Sequence, residues 1–263
     1  MLEIDLTYTI AGAVTGFLVG FTGVGGGALM TPILVLLFGI APTTAVATDL
    51  WFAAVTKIVG ARSHHAAGNV DWKVASRLWL GSIPLALATV LLISFYSDMV
   101  KLDWLTGAIG FVVIVTGLFL LFVPQVLKNA TQTHLTEEEG FQKNLAAITV
   151  IAGGFLGCCV ALTSIGAGAF GTVIMIYLYP RSMTPHRLVA TDIVHAIPLA
   201  IAAGIGYLFA GLIDYWMLFS LLLGSIPAVI LGSKLALNTS GTWIRIGLAI
   251  ILILVGLKAL SSL

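Results

Sequence analysis

The sequence predicts an all-α polytopic membrane protein of two inverted repeats, each a broken re-entrant helical hairpin plus three transmembrane helices. Three observations predict it: a composition too poor in charge to cover a surface, an internal duplication, and the placing of Lys and Arg between apolar segments. Hydrophobic residues are 59% of the 263 and charged residues only 9%, with mean hydropathy +1.11. A water-soluble domain of that length needs far more charge, so the outer surface is apolar and its solvent is lipid. The net charge of +1 offers no basic stripe to neutralise phosphates, which excludes nucleic acid as a partner.

The first apolar stretch, 8–22, follows Glu3 and Asp5, where a secretory leader would carry Lys or Arg, so it reads as mature sequence. Gly12, Gly16 and Gly20 recur along it every four residues and suit close helix packing. The second, 27–40, comes after the run Thr22-Gly23-Val24-Gly25-Gly26-Gly27. Stretches of about 13–15 residues reach only about 20–23 Å, short of the roughly 30 Å hydrocarbon core. They either join into one long helix or fold back as a hairpin. The third, 43–61, carries Asp49 and Lys57. The fourth, 73–95, opens on Asp71 and Trp72, an N-cap beside an interfacial aromatic, and contains Gly81-Ser82-Ile83-Pro84. The fifth is 103–123.

The interval Pro124 to Asn144 holds Lys128, Glu137, Glu138, Glu139 and Lys143 and is the one credible linker, with Thr136 and Glu139 spaced as a capping box. Five further stretches follow it, at 146–162, 168–179, 186–210, 214–235 and 242–261. The expected organisation is an N-terminal membrane repeat over 1–123, a cytoplasmic linker over 124–145 and a C-terminal membrane repeat over 146–263.

The duplication is explicit. Ile10-Ala-Gly12 matches Ile151-Ala-Gly153, and Gly23-Val-Gly25-Gly-Gly27-Ala28 matches Ser164-Ile-Gly166-Ala-Gly168-Ala169, both at an offset of 141. Ala47-Thr48-Asp49 matches Ala190-Thr191-Asp192, Gly68 and Asp71-Trp72 match Gly211 and Asp214-Tyr215, and Gly81-Ser-Ile-Pro84 recurs as Gly224-Ser-Ile-Pro227, all at 143. If each half contains a re-entrant hairpin, it crosses three times and the second half is inverted. Arg62, Lys73, Arg77, Lys128, Lys143, Arg181, Arg187, Lys234 and Arg245 then share the cytoplasmic side, leaving Lys101 and Lys258 outside with both termini. Four full crossings per half would split the same cations six to five, Lys57 aside, which is no bias.

Glycine-broken helices at matching places in inverted halves mark a transporter's binding site. The N–H groups that open each following half-helix lack intrahelical partners, and the helix dipole places positive charge there, so an anion fits. That assigns substrate contact to Thr22, Gly23, Gly25, Gly26 and Gly27 in one half and to Thr163, Ser164, Gly166 and Gly168 in the other. Close helix packing is the competing reading of the same glycines. Neither run has the strand–turn–helix setting of a dinucleotide site or the Lys of a phosphate-binding loop.

Ionisable residues inside a span are costly and point to function. Asp49 and Asp192 are equivalent, each preceded by a threonine, Thr48 and Thr191. His195 lies one turn beyond Asp192 and can share a proton with it, while Lys57, eight residues past Asp49, can neutralise that carboxylate. Proton coupling and capping of a neighbouring half-helix are equally open for both aspartates. Pro84 and Pro227 fall near the midplane, where a freed carbonyl can line a site or a kink can hinge, with plain packing the alternative. Arg62, His64 and His65 suit a polar rim rather than a metal site, and Tyr177 and Tyr179 suit the interface. Cys158 and Cys159, adjacent on a helix, point apart, so neither a disulfide nor a metal site is expected, and no cofactor either.

The pattern Gly16-x-x-x-Gly20-Phe-Thr-Gly23-Val-Gly25-Gly26-Gly27, then Pro32, then Ala45-Val-Ala-Thr48-Asp49-Leu50, with a degenerate copy from Gly157 to Ile193, resembles the TauE/SafE family of sulfite exporters and related sulfur-anion permeases. The resemblance spans nearly the whole chain. It implies a multipass carrier, in a bacterial cytoplasmic membrane, for sulfite, an organosulfonate or a similar small anion. No nucleotide-binding motif is present, so the driving force is expected to be an ion gradient or the substrate's own gradient, with protons the expected ion for any coupling. An anion channel, and an intramembrane enzyme using Ser164 as nucleophile and His195 as base, are the rival readings. Oligomeric state is left open.

Overall fold

Glycine, proline and capping aspartate punctuate the apolar segments, and α2, α3, α4, α8 and α9 begin at or just after such residues. The computed structural model describes residues 5–22, 27–63, 70–95, 102–130, 139–166, 168–180, 182–236 and 242–261. Among the described residues there are ten α-helices and no strand: α1 Leu6–Thr22, α2 Gly27–Leu36, α3 Pro42–Ser63, α4 Trp72–Phe95, α5 Leu102–Ala130, α6 Glu139–Thr163, α7 Ala169–Leu178, α8 Pro185–Phe209, α9 Tyr215–Ala236 and α10 Thr242–Ser261. Asp71 accepts the Val74 N–H at 3.2 Å and Asp214 the Met217 N–H at 2.9 Å, so the two equivalent aspartates cap α4 and α9. Thr184 caps α8, with Pro185 in the first helical position, where its missing N–H costs nothing.

The helices outrun the apolar stretches at the linker. α5 continues to Ala130 and α6 starts at Glu139, so both ends of the 124–145 interval are helical. Gln125, Lys128 and Asn129 interrupt the apolar run, yet Gln and Lys are good helix formers, so the helix outlasts the apolar stretch. Thr136, half of the expected capping box, lies outside the described residues.

Five helices are long and apolar enough to span a bilayer: Trp72–Phe95, Trp104–Phe122, Asn144–Thr163, His186–Phe209 and Tyr215–Leu235. Their outer faces expose Leu91, Phe95, Phe111, Ile151, Phe155 and Phe209, the side chains lipid would cover. The chain is a multi-pass membrane protein. At 22 residues, or about 33 Å, α3 is equally long, but Asp49, Lys57 and four threonines lower its apolar character. Protein covers it instead of lipid: Ala45, Val46, Ala47, Leu50 and Phe52 are buried. Polar groups inside a membrane protein are tolerated on such an enclosed helix.

Three helix pairs form the main seams, α1 with α9, α4 with α6 and α5 with α10, and each takes one helix from either half of the sequence. In all three glycines let backbones approach, most closely in the first two. Gly12 rests on the Leu221 carbonyl, Gly16 on Ser225 and Gly20 on Val229, while Gly153 rests on Leu78 and Gly157 on Ser82. A Cβ at any of these would overlap backbone atoms, which is how small residues drive association where lipid offers no hydrophobic force. The contacts climb in step along both members, so α1 runs parallel to α9 and α4 parallel to α6. Contacts of α5 with α10 run in opposite order, Gly110 meeting Ala259 and Gly117 meeting Ala249.

The packing repeats with the sequence. Val74, Leu78, Met175 and Leu188 form one buried cluster, and their equivalents Met217, Leu221, Leu34 and Ala45 form another. Between the clusters α3 and α8 cross antiparallel, Lys57 meeting Asp192 and Trp51 meeting Gly204.

Candidate functional site

The charged residues of the interior sit on the central pair, α3 and α8, with the helix breaks beside them. Asp49 is wholly buried. Its Oδ2 accepts the Thr31 N–H at 3.1 Å and the Thr31 hydroxyl, tying α3 to the second turn of α2. Its Oδ1 has no hydrogen-bond partner, and Ser164, from the break in the other half, lies beside the carboxylate with its own Oγ unbonded. Asp49 therefore braces a half-helix with one oxygen and presents the other to the opposite break.

Asp192 has a different environment. Its Oδ2 lies 3.3 Å from Lys57 Nζ, and both groups are buried. Its Oδ1 is unpartnered and faces Gly171 on α7, where a Cβ would stand 3.1 Å away. The expected Lys57–Asp49 pairing gives way to this one because the antiparallel crossing delivers a carboxylate straight to Nζ, whereas Asp49 is two turns back, about 12 Å along the axis. His195 shares no hydrogen bond with Asp192 either. Its Nε2 lies 3.0 Å from Ser82 Oγ on α4, its carbonyl accepts the Trp79 indole N–H at 3.1 Å, and its Nδ1 is buried without a partner.

The equivalent threonines differ as well. Thr48 Oγ1 is buried and unpartnered, whereas Thr191 Oγ1 accepts the Asp71 N–H at 3.0 Å and so ties α8 to the start of α4.

In the second half the break follows directly from the sequence. α6 ends at Thr163, Ser164 takes φ 57° and Gly166 takes φ 119°, and Gly168 precedes α7. Left-handed backbone suits Gly166; at Ser164 it is a strained position held by its surroundings. Thr163 is not free for a ligand, since its hydroxyl donates to the Cys159 carbonyl at 2.7 Å and accepts the Ile165 N–H at 3.1 Å. In the first half Thr22 closes α1 and Gly27 opens α2. Gly23, Gly25 and Gly26, like His64 and His65, lie outside the described residues.

Pro84 and Pro227 are inside α4 and α9 but exposed on their outer faces, away from the buried polar groups. The serines of the same motif turn inward: Ser82 reaches His195, and Ser225, packed on Gly16, is buried with no partner. Ser82, Ser225, Thr31 and Trp51 join the site without having been singled out in the sequence. Ser82 and Ser225 recur in the duplicated motif, and Thr31 recurs as Thr172 at the offset of 141, so the repeat carried a signal for three of the four. Trp51, whose indole nitrogen is buried and unpartnered opposite Gly204, carried none.

The profile of the Sulfite exporter TauE/SafE family matches residues 8–259. The chain belongs to the TauE/SafE family. It is 36% identical over 262 residues to "Probable membrane transporter protein YjnA" of Bacillus subtilis, covering 97% of this chain and 99% of that one. It is 31% identical to "Probable membrane transporter protein YdhB" of the same organism, covering 83% and 85% of the two chains. A further relative named as a probable membrane transporter protein, from Methanocaldococcus jannaschii, is 27% identical and covers 94% and 92%. No solved structure gives a significant match. Membership of an exporter family makes this TauE/SafE chain a membrane transporter rather than an enzyme, working on a small-molecule substrate in a lipid bilayer.

Proposed function

We propose that the chain is a secondary carrier of a small sulfur-containing anion, sulfite or an organosulfonate, in the cytoplasmic membrane. It works by alternating access around the two glycine-rich breaks and is linked to protons. One observation carries the reading: Thr48 Oγ1, Asp49 Oδ1, Ser164 Oγ, Asp192 Oδ1 and His195 Nδ1 are all buried without hydrogen-bond partners on or beside the central helix pair. Buried polar atoms are seldom left so, and a bound ligand supplies the missing bonds.

The charges argue for the coupling. Among the described residues the buried interior holds two carboxylates, Asp49 and Asp192, and one cation, Lys57. An entering monoanion adds to an existing negative excess, so a cation must enter with it. An ionised carboxylate only accepts hydrogen bonds, whereas a protonated one donates. A proton on Asp49 Oδ1 therefore removes a charge and creates a donor for the oxyanion beside Ser164 in one step. Asp192, already neutralised by Lys57, is the less suited of the two, and His195 stands by as a second proton site.

The directions of the helices support inverted halves. Parallel α1–α9 and α4–α6 pairs, with antiparallel α3–α8 and α5–α10 pairs, are the set that oppositely oriented halves produce. α1–α2 and α6–α7 act as the re-entrant hairpins, and both termini are placed outside. The test is flux of radiolabelled sulfite and taurine into proteoliposomes under an imposed pH gradient. Saturable, gradient-driven accumulation with counterflow supports the carrier. Unsaturable flux without counterflow marks a channel, and flux indifferent to the gradient removes proton linkage.

A further inference from the structure

A polar cavity of about 300 Å³ opens where the first turns of α4 meet α6 and the α7–α8 connection, lined by Asp71, Lys73, Arg77, Leu145, Tyr179 and Ser182. Its charges do not balance. Asp71, the acid in the lining, is taken by the Arg187 guanidinium at 3.4 Å and by the Val74 N–H. Among the described residues neither Lys73 nor Arg77 pairs with a carboxylate. Arg77 is nevertheless held in place: its Nη1 donates to the Tyr179 hydroxyl at 3.0 Å, and that hydroxyl lies 2.7 Å from Thr149 Oγ1 on α6. One of its five N–H groups makes that bond, which leaves donors for a further acceptor in the cavity that Arg77 lines.

The cavity also adjoins the interior site. The Asp71 N–H donates to the Thr191 hydroxyl, and the next residue, Asp192, makes the buried pair with Lys57. The contacts therefore lead from the cationic mouth through Asp71 and Thr191 to the buried Asp192–Lys57 pair.

We propose that this cavity is an anion-docking site at one mouth of the transport path, holding one oxyanion group between the Lys73 ammonium and the Arg77 guanidinium. The group is a free sulfite or sulfonate, or the phosphate of an anionic lipid headgroup, since each brings a net negative charge on oxygens that a guanidinium and an ammonium can hold. The docking role rests on the anion-carrier reading; anion binding in the cavity does not.

The experiment uses full-length protein in phosphatidylcholine vesicles, with radiolabelled sulfite as probe and wild type compared with Lys73→Gln, Arg77→Gln, the double variant and Tyr179→Phe. Losing a charge-assisted contact is expected to raise KM about tenfold in the double variant with kcat within about twofold, and to flatten the dependence of KM on ionic strength. Lys73 is exposed, so its variant tests charge without disturbing packing. Tyr179→Phe keeps both cations and is expected to move KM far less. Repeating the series with phosphatidylglycerol added separates the sources: an effect equal in both membranes assigns the site to the free anion, and one confined to the anionic membrane assigns it to the headgroup. Unchanged KM and salt dependence in both membranes, with wild type moving sulfite normally, overturns the proposal and leaves the carrier reading intact. If wild type moves neither sulfite nor taurine, the carrier reading fails by itself and the cavity is judged by calorimetric titration with inorganic phosphate. Binding lost in Arg77→Gln then supports the site, and no binding to wild type overturns it.

Discussion

Replacing Lys57 with methionine removes the positive charge from the interior pair while keeping most of the side-chain volume. Nζ and Asp192 Oδ2 are 3.3 Å apart, an attraction of about 5 kcal/mol at an effective dielectric of about 20. Desolvating two buried ions offsets most of that gain, so the intact pair contributes little net stability. Breaking it is another matter, because Lys57→Met strands a buried carboxylate whose second oxygen is already unpartnered. The expected cost is about 3–5 kcal/mol. Adding Asp192→Asn removes the stranded charge, and the double variant is expected within about 1 kcal/mol of wild type. Thermal unfolding in detergent, followed by tryptophan fluorescence, orders the variants: wild type and the double variant close together, Lys57→Met well below. If Lys57→Met melts with wild type, or the double variant is no better than the single one, the pair is not the buried contact described. Flux supplies an independent check, since the stable double variant is expected to lose anion transport with its interior cation.

Other expectations follow from the seams, the break and the free carboxylate oxygen. Gly12→Val and Gly153→Val drive side chains into the Leu221 and Leu78 backbones and are expected to cost several kcal/mol, about 3 or more, read as loss of monodisperse protein in detergent. Gly247→Ala, with nothing within 4 Å, is expected to change the melting point little. Ser164→Gly relieves a left-handed backbone and is expected to gain about 1 kcal/mol while weakening anion affinity, whereas Ser164→Ala loses the hydroxyl and keeps the strain; melting and KM together separate the two effects. Asp49→Asn is expected to leave folded protein whose sulfite flux no longer follows a pH gradient. Gradient-driven accumulation by that variant would remove Asp49 as the coupling group.

Much of this was legible because duplication imposes the same backbone demands twice. Gly81-Ser-Ile-Pro84 and its copy announced two equivalent helices, and Asp71 and Asp214 announced their caps, since an N-cap is a local event between neighbours in sequence. Asp49 and Asp192 stood out because an acid in an apolar run has few uses. What stayed hidden depends on how distant segments register. Lys57 and Asp49 share a face of α3, yet the partner of Lys57 comes from α8, and no periodicity within one helix encodes that crossing. The motif prolines drew attention through their chemistry, but whether a side chain faces lipid or protein is fixed by the neighbouring helix. The inward serines were therefore the more informative members. Ser164 escaped as a strained position although it occupies the place of Gly23 in the other half, because the serine drew attention as a hydroxyl donor and not as a replaced glycine. The continuation of α5 past Pro124 was missed for a simpler cause, since hydropathy locates the membrane and not the helix. The Thr136–Glu139 spacing, by contrast, did point to a helix opening where α6 begins.

The seams that join α1 to α9 and α4 to α6 also set a timetable for the nascent chain. Thr22 is synthesised 193 residues before Tyr215 begins the helix against which α1 packs. At about 5–20 residues per second the glycine face of α1 waits about 10–40 s in the bilayer with no partner. It spends that interval against lipid or against whatever holds unfinished membrane proteins. Neither half can settle first, and a chain truncated before α9 keeps a bare backbone stripe that a second such chain could fill.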